Sequence, residues 1–311
     1  MQYTILGRTG LKVSVLGLGC GGPSRLGRKT GRNEEESVAV VRRAIDAGIN
    51  FLDTAESYGT EGFIGKAIAG LPRERIVLST KKTVSRKGVM APPEEVPASV
   101  EACLSRLGTD YIDVLHMHNV RPGEYEYVRD VLVPQVRKLQ QAGKVRFIGI
   151  TEDFDGDSSH TMLRRALGDD CWDVFLLGYN LVNQSAARTV FPDAIRKGVG
   201  TLVMYALRWA RRTAEARGEL ARQLIAQSRM DPSAAGQDDP LGFLVHPGGA
   251  SCLVEAALRF CRYSPGVNVT LSGTGDASHA EANARMIEGP PLPAEDMARL
   301  ERLFEKVDHI P

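Results

Sequence analysis

The chain has no dominant sign of charge: 39 Lys and Arg face 38 Asp and Glu among 311 residues, a net of +1. No long-range field therefore recruits nucleic acid or an anionic membrane. Its five cysteines, Cys20, Cys103, Cys171, Cys252 and Cys261, form no CxxC pair and have no metal-ligand spacing. An odd, scattered set reads as reduced thiols, not as a disulfide framework or a metal site. No apolar run approaches the ~18 residues that a membrane span requires. The start, Met1-Gln2-Tyr3-Thr4-Ile5, lacks the basic region and apolar stretch of a signal peptide. No Pro/Gly-rich linker, low-complexity tract or composition shift marks a domain boundary. The expectation is a cytoplasmic protein with no nucleic-acid, membrane or metal partner.

What is present supports a sizeable core, with 43% hydrophobic and 25% charged residues. Residues 3–6 and 12–15 flank a Gly-Arg-Thr-Gly turn and read as a β-hairpin. A strand-helix rhythm follows. Strands are expected at 15–19, 50–53, 76–80, 113–116, 144–149, 174–179, 199–204 and 269–272. Helices are expected at 34–47 (stopped by Gly48), 62–69, 93–107, 127–142 (interrupted near Pro134), 162–167, 186–197 and 253–260. Eight strand-helix units after a hairpin predict an α/β fold, a closed (β/α)8 TIM barrel spanning 1–311 as one domain. Two packed doubly wound domains are the competitor. Residues 208–250, after the seventh barrel strand, form a long loop with a polar tip at 231–249. Loops of that length are functional lids or disordered.

Three apolar runs end in ionisable side chains. Asn50-Phe51-Leu52-Asp53 is followed five residues later by Tyr58. Ile76-Val77-Leu78-Ser79-Thr80 leads into Lys81, and Asp113-Val114-Leu115-His116-Met117 into His118. Parallel strands wound by helices deliver their carboxyl ends to one face, where an acid, a phenol, an ammonium and an imidazole would meet. Strand alternation places Lys81 and Lys82 on opposite faces, so Lys82 reads as a solvated charge. His116 and His118 share a face, and His118 lies nearer the strand end. Gly17-Leu18-Gly19-Cys20-Gly21-Gly22 satisfies GxGxxG, but Pro23 and a polar stretch follow where a Rossmann helix should open. It reads as a glycine loop giving a backbone room near a ligand.

The Asp53, Tyr58, Lys81 and His118 set resembles the catalytic tetrad of the aldo-keto reductases. The words around it are similar to that family's over nearly the whole chain: Gly48-Ile49-Asn50-Phe51-Leu52-Asp53-Thr54-Ala55, Arg106-Leu107-Gly108-Thr109-Asp110-Tyr111-Ile112-Asp113, Gly143-Lys144-Val145-Arg146-Phe147-Ile148-Gly149 and Tyr179-Asn180-Leu181. The resemblance implies the (β/α)8 fold and a nicotinamide cofactor, NAD(P)H, across the barrel mouth. Implied contacts are Gly19, Cys20, Asp53, Thr151, Glu152, Tyr205, Leu207, Arg208, Ser272, Gly273, Thr274, Gly275, Asp276, His279 and Asn283. Thr151-Glu152 and Leu176 stand where the family has a carboxamide-binding Ser-Asn pair and Gln. Glu152 can accept amide protons but not donate, and Leu176 can do neither. Tyr205 matches the Tyr that stacks on the nicotinamide.

The resemblance implies an oxidoreductase that interconverts an aldehyde, ketone or sugar hemiacetal with its alcohol or lactone by hydride transfer. Tyr58 would be the general acid/base, and His118 would orient the carbonyl. An ammonium ~4 Å from a phenol lowers its pKa by about three units at an effective dielectric near 20, so Lys81, held by Asp53, is expected to acidify Tyr58. No cation lies in 272–276 to meet a 2′-phosphate, so the cofactor lean is to NAD(H) over NADP(H). Arg208, Arg211 and Arg212 read as surface charges or a pyrophosphate clamp. Trp172, Trp209 and the region of Phe243 are equally pocket or packing. The alternative function is a catalytically weak sensor or accessory subunit that binds the cofactor on the same fold.

Overall fold

The computed structural model describes residues 1–232 and 239–308. Its strands are β1 Tyr3–Ile5, β2 Lys12–Ser14, β3 Leu16–Gly19, β4 Phe51–Asp53, β5 Val77–Thr83, β6 Ser85–Arg86, β7 Val89–Met90, β8 Ile112–Val120, β9 Val145–Glu152, β10 Val174–Gly178, β11 Gly200–Met204 and β12 Val269–Ser272. Eight of them pair in the order β10-β11-β12-β3-β4-β5-β8-β9 and close into a parallel barrel with helices between, a (β/α)8 fold. β1 and β2 form the expected antiparallel hairpin.

Period-two alternation sorts each strand's side chains. Phe51, Val77, Val114, Val174, Leu202 and Val269 point into the lumen and form one apolar cluster with Leu6, Leu11 and Val13 of the hairpin segment. Their neighbours Leu52, Leu78, Leu115, Phe175 and Val203 join the larger shell beneath the helices. The hairpin thus closes the floor of the barrel, and each plug side chain contributes roughly 1.5–3 kcal/mol by its burial. The helix Glu34–Asp46 begins where expected because Asn33 forms a capping box with Glu36, both bonds at 2.9 Å.

Three expectations change. The helix read over 127–142 is Tyr125–Tyr127, a π-helical segment Val128–Leu132 and the helix Val133–Gln141. Pro134 has no N–H to return to the preceding turn, so the ladder widens there. The helix read over 186–197 breaks at Val190 into Ser185–Thr189 and Phe191–Lys197, with Pro192 in the first turn of the second. The stretch 208–250 is not structureless. It carries the helix Ala214–Ala226, capped by Thr213, and Arg217 on that helix ion-pairs with Asp239. The capping threonine and the Ala/Leu/Glu/Arg run were the signal for it. Residues 233–238 of the proposed tip lie outside the described residues. No helix among the described residues is long and apolar enough to cross a membrane.

Candidate active site

β3 and β4 end together, with Gly19 opposite Asp53, while β5 runs on to Thr83 beyond Ser79, the residue opposite Asp53. Farther along, Lys81 of β5 lies opposite His116 and Thr83 opposite His118. This register places four ionisable groups at the carboxyl rim. Lys81 Nζ donates to Asp53 Oδ1 at 2.7 Å, to Asp53 Oδ2 at 2.6 Å and to the Thr54 carbonyl at 2.6 Å. Ser79 Oγ donates to the same carboxylate at 2.8 Å. Burial is the largest influence and works against the Lys81 charge, but Asp53 and Tyr58 together with Cys20 outweigh it, and the ammonium pKa ends above its usual value. With three acceptors in place, every ammonium proton is committed.

Tyr58 follows β4, and its hydroxyl lies 3.3 Å from His118 Nε2, the two rings meeting edge to face at 79°. Lys81 Nζ is 5.2 Å from the Tyr58 ring centroid and bonds elsewhere. The expected acidification of Tyr58 is therefore reversed. Burial raises the phenol above its ordinary value, Lys81 pulls it down, and Asp53 opposes that pull. Burial and the Lys81 charge push His118 down to about 3, so it is a neutral imidazole near pH 7. Gly21 makes this placement possible, because a Cβ there would lie 2.5 Å from the Tyr58 ring.

The two rivals resolve differently. Lys82 is not a solvated charge: it is 2% exposed, between Glu56 at 3.6 Å and Glu95 at 3.5 Å. Alternation turns it out of the lumen, but the outer side of β5 is itself covered. His116 sits one step deeper in the lumen than His118, against Gly149, with neither ring nitrogen hydrogen-bonded among the described residues.

The remaining positions lie around the mouth. Cys20 is buried, and burial raises its thiol pKa, so it stays protonated. Thr151 Oγ1 accepts from the Asn119 amide at 2.6 Å and keeps its own proton to donate. Glu152 departs from the expectation of a carboxamide contact. It is fully buried in the shell, with one oxygen on His160 Nδ1 and the other on the Gly178 amide, both at 2.8 Å. Strand parity explains this, since Thr151 takes the lumen side and Glu152 the outer side. His160 in turn contacts Ser185 Oγ at 2.9 Å. Leu176 is in the lumen cluster.

Tyr205 holds a left-handed backbone, φ +62°, an uncommon state for a tyrosine that fixes its ring at the rim. Phe154 stacks on it at 5.5 Å, and the Arg208 guanidinium lies 3.9 Å from its centroid while pairing with Asp155 at 2.7 Å. Leu207 is buried. Trp172 is core, donating to the Tyr125 hydroxyl at 3.0 Å.

At the end of β12, Asn283 Nδ2 donates to Ser272 Oγ at 2.8 Å. Gly273 packs on the Gly19 carbonyl and Gly275 on the Gly27 amide, too closely for a Cβ. Thr274 Oγ1 accepts from the Asp276 amide, and Asp276 caps the helix Ala277–Met286, on which His279 is exposed. The lean to NAD(H) rested on a lack of local cations, and the fold removes that ground. Arg32 reaches Asp276 at 2.8 Å, and Arg211 donates to the Gly273 carbonyl at 3.4 Å. Both arginines come from other segments. Sequence reasoning also passed over Phe154 and His160, whose roles arise only from packing.

A closed barrel with an acid, a phenol, a lysine and a histidine at its carboxyl rim defines a class of protein, and comparison gives the family. The sequence profile of the Aldo/keto reductase family matches residues 16–305, so the chain belongs to that family. L-galactose dehydrogenase of Arabidopsis thaliana is 40% identical over 157 residues, 49% of this chain and 48% of that protein. The chain thus spans about half the length of that curated relative. The holo form of an aldo-keto reductase from Bacillus halodurans superimposes with a TM-score of 0.75 at 22% identity, covering 99% of this chain and 97% of the other. An aldo/keto reductase from Klebsiella pneumoniae, in complex with NADP and acetate, superimposes with a TM-score of 0.69 at 21% identity, covering 98% and 96%.

Proposed function

We propose that this chain is a nicotinamide-dependent oxidoreductase interconverting an aldehyde, ketone or sugar hemiacetal with its alcohol or lactone. The observation that carries this reading is the Tyr58 hydroxyl beside a neutral His118, above a fully committed Lys81–Asp53 pair. The residues present suit an NAD(P) cofactor at its phosphate end, where Arg32 and Arg211 flank a glycine turn that Cβ atoms would fill. Asn283, Ser272 and Thr274 add polar contacts there, and Thr151 and Tyr205 would hold the nicotinamide end. When bound, the cofactor supplies or accepts a hydride at the carbonyl carbon.

The chain's own part is to place and move a proton. A phenol held above its ordinary pKa is fully protonated near neutrality, as a donor to a developing alkoxide must be. Neutral His118 can hydrogen-bond the Tyr58 oxygen or the carbonyl oxygen without adding a charge. Lys81 stabilises the phenolate left after transfer through its field, and Asp53 keeps that cation fixed. The test mixes protein with NADPH or NADH and a panel of aldehydes and follows the absorbance of the reduced cofactor. Turnover that Tyr58→Phe abolishes supports the reading. Tight cofactor binding with no turnover of any carbonyl would favour the sensor alternative.

A further inference from the structure

The acids around the barrel mouth are all partnered. Asp53 holds Lys81, Glu56 faces Lys82 at 3.6 Å, Asp153 faces Arg121 at 3.5 Å, Asp155 pairs with Arg208 at 2.7 Å and Asp276 with Arg32 at 2.8 Å. Two arginines in the loop after β3 have no carboxylate among the described residues. Arg25 Nη1 donates to the Tyr58 carbonyl oxygen at 3.3 Å, and Arg28 Nη1 donates to the same oxygen at 3.4 Å. A neutral carbonyl cannot balance two guanidinium charges, each of which keeps further N–H donors in a planar fork.

The chain is built to hold them there. Arg25 and Leu26 have left-handed backbones, φ +46° and +58°, and Gly27 continues at +92°. Side chains rarely adopt that conformation, and adjacent outliers at a rim mark a loop whose shape is imposed by its surroundings. Gly59, at φ +71°, has no Cβ where the Arg28 guanidinium lies, and Gly27 leaves the same clearance for Arg32.

We propose that Arg25 and Arg28 form an oxyanion-binding subsite for the substrate, which makes the substrate class a carbonyl compound carrying a carboxylate or phosphate. This deepens the oxidoreductase reading and rests on it. Both guanidinium groups gather at the backbone of Tyr58, one tyrosine side chain away from the phenol oxygen. The anionic group therefore belongs several atoms from the reacting carbon, not beside it. The cofactor's phosphates have a separate pair of arginines, Arg32 and Arg211, at the β12 turn.

The test compares 4-carboxybenzaldehyde with benzaldehyde, and glyceraldehyde 3-phosphate with glyceraldehyde, using full-length protein and the Arg25→Gln/Arg28→Gln variant. The wild type should favour the charged member of one pair by about ten- to a hundredfold in kcat/KM. The pair that shows the preference identifies the anion. The variant should lose that preference while turning over the neutral aldehyde, with cofactor Kd, read by fluorescence, unchanged. Equal losses on charged and neutral aldehydes, or a weakened cofactor Kd, would overturn the proposal and make these arginines a cofactor clamp or a structural element. Calorimetry of benzoate against benzyl alcohol on cofactor-saturated protein separates the two claims. If no aldehyde is turned over but benzoate binds tighter than benzyl alcohol, and the variant loses that difference, the subsite stands and the oxidoreductase reading falls. Indistinguishable binding of the two, with no preference for the charged member of either aldehyde pair, sinks the subsite.

Discussion

Two parts of the rim do different work with similar materials. At the ends of β4, β5 and β8, ionisable groups face the lumen and bond one another. At the end of β9, Glu152 and its partner His160, from the loop that follows, are fully buried and face the outer shell, and Phe154 and Tyr205 stack above them. A one-residue step along a strand decides between the two, because it decides which side of the sheet a carboxylate enters. The first cluster carries the proposed proton transfer, and the second ties a loop to the shell.

Substitutions should separate them. Tyr58→Phe removes the proposed proton donor and should lower kcat by about 10²–10⁴ in aldehyde reduction while leaving the melting temperature unchanged. Lys81→Met strands the Asp53 carboxylate in a buried site and should cost about 3–5 kcal/mol of stability in denaturant melts, together with activity. The Lys81→Met/Asp53→Leu double variant should recover much of that stability and none of the activity. In the other cluster, Glu152→Leu leaves His160 and the Gly178 amide without their acceptor and should cost roughly 2–3 kcal/mol. Its kcat should fall far less than that of Tyr58→Phe; a loss of turnover at unchanged stability would erase the contrast. Arg32→Gln should weaken NADPH by about three- to tenfold in fluorescence titration, since a rim cation to a phosphate is partly screened.

The smallest expected effect is a flat line. His118 holds its proton only below about pH 3, so reduction rates should show no imidazole inflection between pH 5 and 8. The sign for stability is the opposite of that for a salt-bridged histidine. An unfolded imidazole takes up a proton as pH falls through about 6.5 while the folded one does not, so His118 makes folding progressively less favourable from there to about pH 3, and the penalty stays at its full size below that. Above pH 6.5 that contribution is absent. An inflection near pH 6 that persists in His118→Gln would point to another group.

The barrel was legible because its strands are short, branched and regularly spaced, and because residues such as Phe51 and Leu52 obey strict alternation. The positions of Asp53, Lys81 and His118 followed from the ends of those same runs. Two features were not legible. The sign of the Tyr58 shift depends on burial and on how completely Asp53 and Thr54 satisfy Lys81, and neither is encoded in spacing. Arg32 and Arg211 reach the β12 turn from segments 244 and 62 residues away in sequence, so a local search for cations at 272–276 misses them. The side of β9 that Glu152 faces was available from parity with Phe147 and Gly149; like the Thr213 cap of the helix Ala214–Ala226, it required no tertiary information.

The hairpin at the floor has a kinetic consequence. With Leu6, Leu11 and Val13 stoppering one end, the cylinder is a cul-de-sac, and both reactants must share the doorway at the other. Whichever seats deeper has to arrive first and depart last, so product inhibition should follow the pattern of a queue and not of two independent doors.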